Sequence, residues 1–201
     1  MIDFAILLSY GASYKKVNAG EVIFHEEQEA HFYYQLESGR VKWLNIDDNG
    51  REFIHAIIEP GESFGELPLF DGEPYAAAAI ADKDCVIYRL HETSFNQLLK
   101  DHPSIHFDFT RLMVQRLRFK FLLTKEVADH NPENTIISLF NHFKKEKHHI
   151  CNDCSQVQLT RQQIADMTGL RVETVIRTIR HLHEKGTLKV NKGKVYCLPD
   201  E

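Results

Sequence analysis

Long apolar runs are missing from this chain of 201 residues. No stretch approaches the roughly 20 consecutive apolar residues of a membrane-spanning helix. No secretory pattern of basic start, apolar core and small-residue cleavage site opens it. Cysteine is scarce: Cys85, Cys151, Cys154 and Cys197 are all there is, too few and too scattered for a disulfide framework. A cytoplasmic location in a reducing compartment, with no membrane partner, is therefore expected. Low-complexity tracts and repeats of about 20–50 residues are also absent, which argues against solenoids and propellers. No nucleophile–base pair and no glycine-rich phosphate loop rises above chance. The chain is accordingly not expected to be an enzyme, and no cofactor is expected.

Positive charge is in short supply as well. The formal net charge of −5 gives no hint of a nucleic-acid partner, but its distribution does. Residues 1–130 hold 13 Lys and Arg against 21 Asp and Glu, whereas residues 131–201 hold 11 against 8. Basic residues thus concentrate in the last third, as in a chain whose C-terminal part meets DNA. The excess is small, so affinity there requires a dimer and specific contacts besides bulk charge.

What stands in that last third is the segment LTRQQIADMTGLRVETVIRTIRHLH, from Leu159 to His183. Thr160 is placed to cap a helix, with Gln163 at the reciprocal position of a capping box. Ile164 and Ala165 face inward, and Gly169 supplies a left-handed turn with Leu170 filling the corner. Val175, Ile179 and Leu182 then recur at helical spacing and form a buried stripe. The other face carries Val172, Glu173, Ile176, Arg177 and Arg180. Two short helices joined this way are the pattern of a helix-turn-helix, whose second helix enters the DNA major groove. Arg177 suits guanine O6 and N7, Glu173 a cytosine amino group, and Ile176 a thymine methyl. Glu173 and Arg177, one turn apart, are also placed to brace one another. Arg161, Gln162, Arg171, Thr174 and Arg180 are of the type that contacts phosphates, which sets register rather than sequence.

From Lys185 to Leu198, two short runs alternate around Asn191-Lys192-Gly193. This predicts a β-hairpin with Lys189, Lys192 and Lys194 along it. Directly after a helix-turn-helix, such a hairpin is the wing of a winged helix, and Lys192 at its tip joins the backbone-contacting set.

The first half reads as strands. From Tyr14 to Leu90 short apolar runs are broken at Asn18-Ala19-Gly20, Glu37-Ser38-Gly39, Asp47-Asp48-Asn49-Gly50, Pro60-Gly61 and Asp71-Gly72. Turns at roughly 8–12-residue intervals are what a β-sandwich or roll produces. A hairpin is expected between VKWLNI and REFIHAII. A long helix follows, from about His102 to Asp129, with Ile105, Phe109, Leu112 or Met113, Leu117, Phe121 and Val127 as its apolar seam. Asn131-Pro132 then restarts the chain as cap and first helical residue. The expected organisation is α+β: a jelly-roll-like β-roll over 1–101, a long dimerisation helix and hinge over 102–130, and a winged helix-turn-helix over 131–201.

In this order, these parts resemble the Crp–Fnr family of bacterial transcription regulators. GESFGELPLF (Gly61–Phe70) is similar to that family's phosphate-binding cassette, ESGRVK (Glu37–Lys42) to the turn of its early hairpin, and LTRQQIADMTGLRVETVIR to its helix-turn-helix signature. The resemblance implies a double-stranded β-helix that binds cyclic nucleotides in some members. It also implies a homodimer paired through the long helix, a palindromic operator in double-stranded DNA, a small-molecule effector and contact with RNA polymerase. Glu173 and Arg177 fall on the family's base-reading positions, and the V-E-T-x-x-R form implies a TGA-like half-site.

The departures bear on the effector. Cyclic-nucleotide binders continue the cassette with an arginine and a serine that hold the phosphate, and a buried anion needs such partners. Here Tyr75 and Ala76 stand nearest those places, and no Lys or Arg occurs between Arg51 and Lys83. Gly65, Glu66 and Leu67 of the cassette remain, Glu66 at the ribose-bonding place, while Lys120 and Phe121 replace the purine-contacting hydroxyls. The expected pocket is thus Gly65, Glu66, Leu67, Tyr75, Ala76 and Lys120, for an effector other than cyclic AMP. Lys120 is a charge the helix can supply, so a cyclic-nucleotide-responsive regulator stays an alternative. A haem-responsive regulator using His25, His31, His55 or Cys85 is another, as is a ligand-binding module whose helical tail contacts protein only. The iron–sulfur form of the family carries an N-terminal cysteine cluster, which this chain lacks.

His148, His149, Cys151 and Cys154 have zinc-ligand types at half the usual spacing. The pair Cys151 and Cys154 also reads as a redox couple, since thiols in a basic neighbourhood ionise more readily. An exposed loop that merely contains polar residues is the plain alternative.

Overall fold

The computed structural model describes residues 1–198. The chain forms two compact units that meet within one helix, the first ending at Met113 and the second starting at Val114. In chain order the first unit runs α1 (Phe4–Ser9), β1 (Ser13–Val17), β2 (Val22–Phe24), β3 (Phe32–Ser38) and β4 (Val41–Ile46). It continues with β5 (Glu52–Ile58), β6 (Ser63–Phe64), α2 (Pro68–Asp71), β7 (Ala78–Ala81), β8 (Cys85–His91) and α3 (Glu92–Asp101). The long helix α4 (Pro103–Ala128) begins in this unit and ends in the next. Residues 102–130, expected as a separate dimerisation helix and hinge, are thus divided between the two units.

The strands form two antiparallel four-stranded sheets, ordered β1-β8-β3-β6 and β2-β7-β4-β5. The hairpin expected around Asp48-Asn49-Gly50 is β4–β5, with Val41 opposite Ile58 and Ile46 opposite Glu52. Asp47 closes its turn by donating to the Arg51 carbonyl and accepting from the Gly50 N–H. The edge strand β1 is exposed except at Val17 and carries Lys15 and Lys16, charges that discourage further strand addition.

Adjacent residues of β3 enter different cores, as a two-residue period requires. Tyr34 and Leu36 point between the sheets with Phe24, Val41, Ile58, Phe64, Tyr75 and Ile87. Tyr33 points out of the other face, where Leu7, Leu90, Phe95, Leu98 and Phe109 cover it. Its ring stacks on Phe95 at 4.7 Å and meets Phe109 edge-on at 5.8 Å, pairings worth about 0.5–1.5 kcal/mol each beyond area burial. Gln35, also buried, accepts from the Tyr33 hydroxyl at 2.6 Å and donates to the Ile2 carbonyl at 2.8 Å. Helices α1, α2 and α3 were not anticipated from the sequence.

Helix α4 shows two apolar stripes rather than the single seam expected. Phe109 is buried, and Ile105 and Leu112 pack against the same cluster, so these three face the first unit's core. The stripe left to solvent is Phe107 (73% exposed), Val114, Leu117 and Phe121 (66%). The two stripes interleave because a helix returns to each face every three or four residues. Val127 is also exposed.

The second unit continues with α5 (Pro132–Glu146), α6 (Arg161–Thr168), α7 (Val172–Glu184), β9 (Leu188–Asn191) and β10 (Lys194–Cys197). Asn131 caps α5 by accepting from the Glu133 and Asn134 N–H groups, with Pro132 at the first helical position. Buried Ile136, Leu139, Phe140 and Phe143 from α5 share this unit with Ile164 and Ala165 of α6 and Val175, Ile179 and Leu182 of α7. No helix among the described residues is long and apolar enough to cross a membrane.

The capping box at Thr160 starts α6 with both reciprocal bonds formed, 3.1 Å to the Gln163 N–H and 3.0 Å from the Thr160 N–H to the Gln163 side chain. Replacing Thr160 with Ala is expected to destabilise the protein by about 1 kcal/mol, while Thr160→Ser stays within a few tenths. Urea unfolding followed by far-ultraviolet circular dichroism measures both.

Candidate functional site

Gly169 ends α6 in the left-handed conformation, φ 71°, where a Cβ would be strained. Three residues later α7 begins at Val172, with Arg171 as the flanking cap residue and no side-chain hydrogen bond capping the helix. Its first N–H groups are therefore open to an anion. Val175, Thr178, Ile179 and Leu182 are buried and fix the rotation of α7 about its axis. The turn is held from the far end as well. Glu133, at the start of α5, accepts from Lys185 at 2.8 Å and pairs with His181 at 3.4 Å. The Lys185 hydrogen bond and charge, with His181, hold the Glu133 carboxyl below its ordinary value.

With that stripe inward, Glu173, Ile176, Arg177 and Arg180 are all exposed. At about 100° per residue they share one face of α7, within roughly a third of its circumference. Ile176 is 46% exposed, an apolar side chain among charged ones. Val172 and Thr174 are half-buried, and Arg171 is exposed at the uncapped end. Among the described residues no ion pair joins Glu173 to Arg177, so the intrahelical brace considered from the sequence is not made.

The wing is present. Lys194 pairs with Asn191 and Cys197 with Leu188 across a two-residue turn. Lys192 and Gly193 both take positive φ, 47° and 78°, as a type I′ hairpin turn demands. Lys192 thus stands exposed at the tip, with Lys189 and Lys194 exposed on the strands. Arg161 donates to the Gly193 carbonyl at 3.2 Å and its partial burial lowers its pKa; it ties the start of α6 to the wing. Gln162 donates to Asp166 at 2.7 Å. His183, near the end of α7, accepts from the Val190 N–H at 3.4 Å.

The segment from His148 to Val157 is more than a plain loop. Among the described residues, no three His, Cys, Asp or Glu side chains converge to hold a metal ion. His149 is buried with its ring edge-on to Phe143 at 4.9 Å, and its Nε2 meets His148 Nδ1 at 3.0 Å. The histidines thus turn inward, and the cysteines occupy a separate reverse turn. Past that turn the chain forms a third strand-like edge on the wing. Gln156 bridges Tyr196, the Val157 N–H donates to the Val195 carbonyl, and the Cys197 N–H donates to the Ser155 carbonyl. Sequence reasoning missed this edge, whose partner lies forty residues further on.

In the first unit, the place expected to hold an effector is occupied by the chain's own rings. Tyr75 stacks on Phe24 with centroids 3.8 Å apart, and Phe24 and Phe64 each lie against Tyr34. Burial, followed by the neighbouring Tyr34, pushes the Tyr75 phenol up. The cassette backbone presses on these rings: a Cβ on Gly65 would come within 2.8 Å of Phe24. Glu66 is fully buried and Leu67 half-buried. Ala76, by contrast, is exposed and offers its carbonyl to Asn45 at 2.9 Å, so it does not line the same space as Tyr75. Lys120 stands in the second unit, where burial and then Arg116 lower its ammonium to about 8. Of the six residues expected to form one pocket, Gly65 and Tyr75 lie together in the first unit, a Cβ on Gly65 coming within 3.2 Å of Tyr75, while Lys120 belongs to the second unit. Of the residues considered for haem, His25 and His31 are exposed, His55 bonds Asn45, and Cys85 donates to the Arg40 and Lys83 carbonyls.

The family profile of a cyclic nucleotide-binding domain matches residues 14–102, and that of a Crp-like helix-turn-helix domain residues 135–201. The cAMP-activated global transcriptional regulator CRP of Haemophilus influenzae is 27% identical over 175 residues, covering 86% of this chain and 78% of that protein. Among solved structures, the c-di-GMP responsive global regulator CLP of Xanthomonas campestris superposes with a TM-score of 0.78 at 19% identity, covering 98% of each chain. FixK2 of Bradyrhizobium japonicum gives 0.77 at 20% identity, over 94% of this chain and 93% of its own. At these identities the two structures show the fold.

The ring packing makes a measurable difference between two substitutions. Tyr75→Ala empties a filled site and is expected to cost about 3–5 kcal/mol. Tyr75→Phe removes only the hydroxyl and is expected to cost about 1 kcal/mol. Trp43, the single tryptophan, lies in β4 and reports the unfolding of this unit by fluorescence.

Proposed function

The chain belongs to the Crp–Fnr family of transcription regulators, and on that premise we propose that it binds a palindromic operator as a homodimer and answers to an effector other than cyclic AMP. The observation that carries the reading is the outer face of α7. Glu173, Ile176 and Arg177, with Val172 at the helix start, are its base-reading residues: an acceptor, a methyl contact and a bidentate donor side by side. Arg171, Thr174 and Arg180 flank them toward the phosphates, with Lys192 reaching the backbone from the wing tip. Arg161 and Gln162 stay in the backbone set with a second duty, since each already holds a neighbour in place. The uncapped start of α7 adds N–H groups for a phosphate oxygen.

Dimerisation is assigned to the solvent stripe of α4. Phe107, Val114, Leu117 and Phe121 succeed one another at steps of seven, three and four residues, the spacing of a coiled-coil seam. So much apolar surface on one helix face calls for a partner, and a second copy of the same helix supplies a matching one. Two recognition helices carried this way meet successive major grooves about 34 Å apart. Contact with RNA polymerase and action in the cytoplasm belong to the same reading.

For the effector, the argument is the occupied interior of the roll. A cyclic phosphate needs a countercharge and donors where it is buried. Tyr75, Phe24, Phe64 and Tyr34 offer π-stacked apolar surface instead, and Ala76 faces away. A ligand entering here must displace Tyr75 or bind elsewhere.

Three outcomes are expected. Arg177→Ala lowers discrimination between the operator and a guanine-substituted duplex by about 1–3 kcal/mol, measured by competition gel shift, with the dimer intact. Leu117→Glu with Phe121→Glu converts the protein to monomer in sedimentation velocity and weakens operator binding. Calorimetric titration with cyclic AMP shows no saturable binding at micromolar concentrations; a micromolar constant would overturn the effector reading.

A further inference from the structure

The turn Cys151-Asn152-Asp153-Cys154 is used by none of the roles above, yet it is closely built. The Ser155 N–H donates to the Cys151 carbonyl at 2.8 Å, and the Cys151 N–H to the Gln156 carbonyl at 2.9 Å. These bonds fold the segment into one tight turn with the two cysteines at its first and fourth positions. Residues three apart in such a turn have Cα atoms about 5–6 Å apart, inside the range a disulfide spans. The Cys154 thiol, together with the backbone N–H groups of Cys154 and Asp153, hydrogen-bonds the Cys151 sulfur and holds its thiol below the ordinary value. Both cysteines are reduced; Cys154 is exposed and Cys151 half-buried. The remaining cysteines, Cys85 and Cys197, are buried, so the turn is the accessible thiol site.

We propose that Cys151 and Cys154 are a reversible dithiol–disulfide site that exchanges with small-molecule disulfides and, through its hydrogen bonds to β10, adjusts the DNA-contacting wing. Cys151 attacks first: its thiolate forms a bond to one sulfur of the external disulfide, and that S–S bond breaks with its electron pair leaving on the released thiol. Cys154 then attacks the Cys151 sulfur of the mixed disulfide, forming the Cys151–Cys154 bond and releasing the second thiol. The two cysteines lose two electrons and two protons, and the external disulfide gains them. The difference between the two roles is set by the turn, which offers N–H donors to Cys151 and solvent to Cys154.

The coupling is short. The carbonyl of Ser155, next to Cys154, accepts from the Cys197 N–H at 3.0 Å, and the Val157 N–H reaches Val195 at 2.9 Å. Any tightening of the turn therefore pulls on β10, whose other end leads to Lys192 and to the Gly193 carbonyl that holds Arg161. This second half of the proposal rests on the reading of α7 and the wing as the DNA reader; the thiol chemistry does not.

The test is an equilibration of the full chain in graded ratios of reduced to oxidised glutathione, followed by alkylation and mass spectrometry. The expected result is one cooperative loss of two thiols, located in a single peptide two hydrogens lighter and linking Cys151 to Cys154. Cys154→Ser accumulates a glutathione adduct on Cys151, whereas Cys151→Ser leaves Cys154 mostly free. Both thiols staying alkylatable under full oxidation overturns the proposal. So does resistance to alkylation in reduced protein that ends when a chelator is added, which marks a metal site. Operator affinity by gel shift is expected to fall at least fivefold on oxidation and not to change in the Cys151→Ser, Cys154→Ser double variant. Unchanged affinity in fully oxidised protein overturns the link to the wing. Failure of the reduced protein to bind any duplex contradicts the DNA reading instead, with the thiol result judged on its own.

Discussion

A helix of thirteen residues can bury one stripe of its surface and no more, and α7 buries Val175, Thr178, Ile179 and Leu182. That single burial decides where every other side chain of the helix goes. It turns Glu173, Ile176, Arg177 and Arg180 outward together. Everything else in the second unit preserves this rotation. The left-handed Gly169 sets the entry angle, the Thr160 capping box fixes the preceding helix, and Glu133 grips the far end through Lys185 and His181. The wing then closes against the same helix through His183 and against α6 through Arg161.

The same geometry, applied to α4, gives the opposite result. There a 26-residue helix buries Phe109 on one side and leaves Phe107, Val114, Leu117 and Phe121 on another. One stripe is satisfied within the chain and the other is not. The first unit shows a third variant of the principle, since its interior is filled by its own rings. Tyr75 and Phe24 stack where the family resemblance placed a phosphate clamp. The roll keeps the scaffold of a cyclic nucleotide-binding domain, and its own rings pack between the sheets.

How legible each part was in the sequence follows from how far apart its partners lie. The helix-turn-helix was readable almost residue by residue, because cap, glycine and apolar period all fall within Leu159 to His183. The β4–β5 hairpin was readable for the same reason. The seam of α4 was not, because Ile105, Phe109 and Leu112 fit a helical period as well as Phe107 and Val114 do, and only the tertiary core separates the two stripes. The packing of Tyr75 on Phe24 was hidden too, since fifty residues of chain lie between them and Ala76 beside it points the other way. The strand-like edge after Cys154 was invisible until β10 supplied its hydrogen bonds. Helices α1 and α2 escaped notice because each is too brief for a period to emerge, whereas α3 runs ten residues and carries a helical period in Phe95, Leu98 and Leu99 that was legible.

The account stands or falls on the outer face of α7 reading DNA in two symmetric copies. Selection of bound duplexes from a random pool by the purified full-length protein, followed by sequencing, addresses it most directly. The result predicted is an inverted repeat whose half-site centres are separated by one helical turn, about 10–10.5 base pairs, or a multiple of it. A pool that yields no enriched motif, or one without two-fold symmetry, would contradict it.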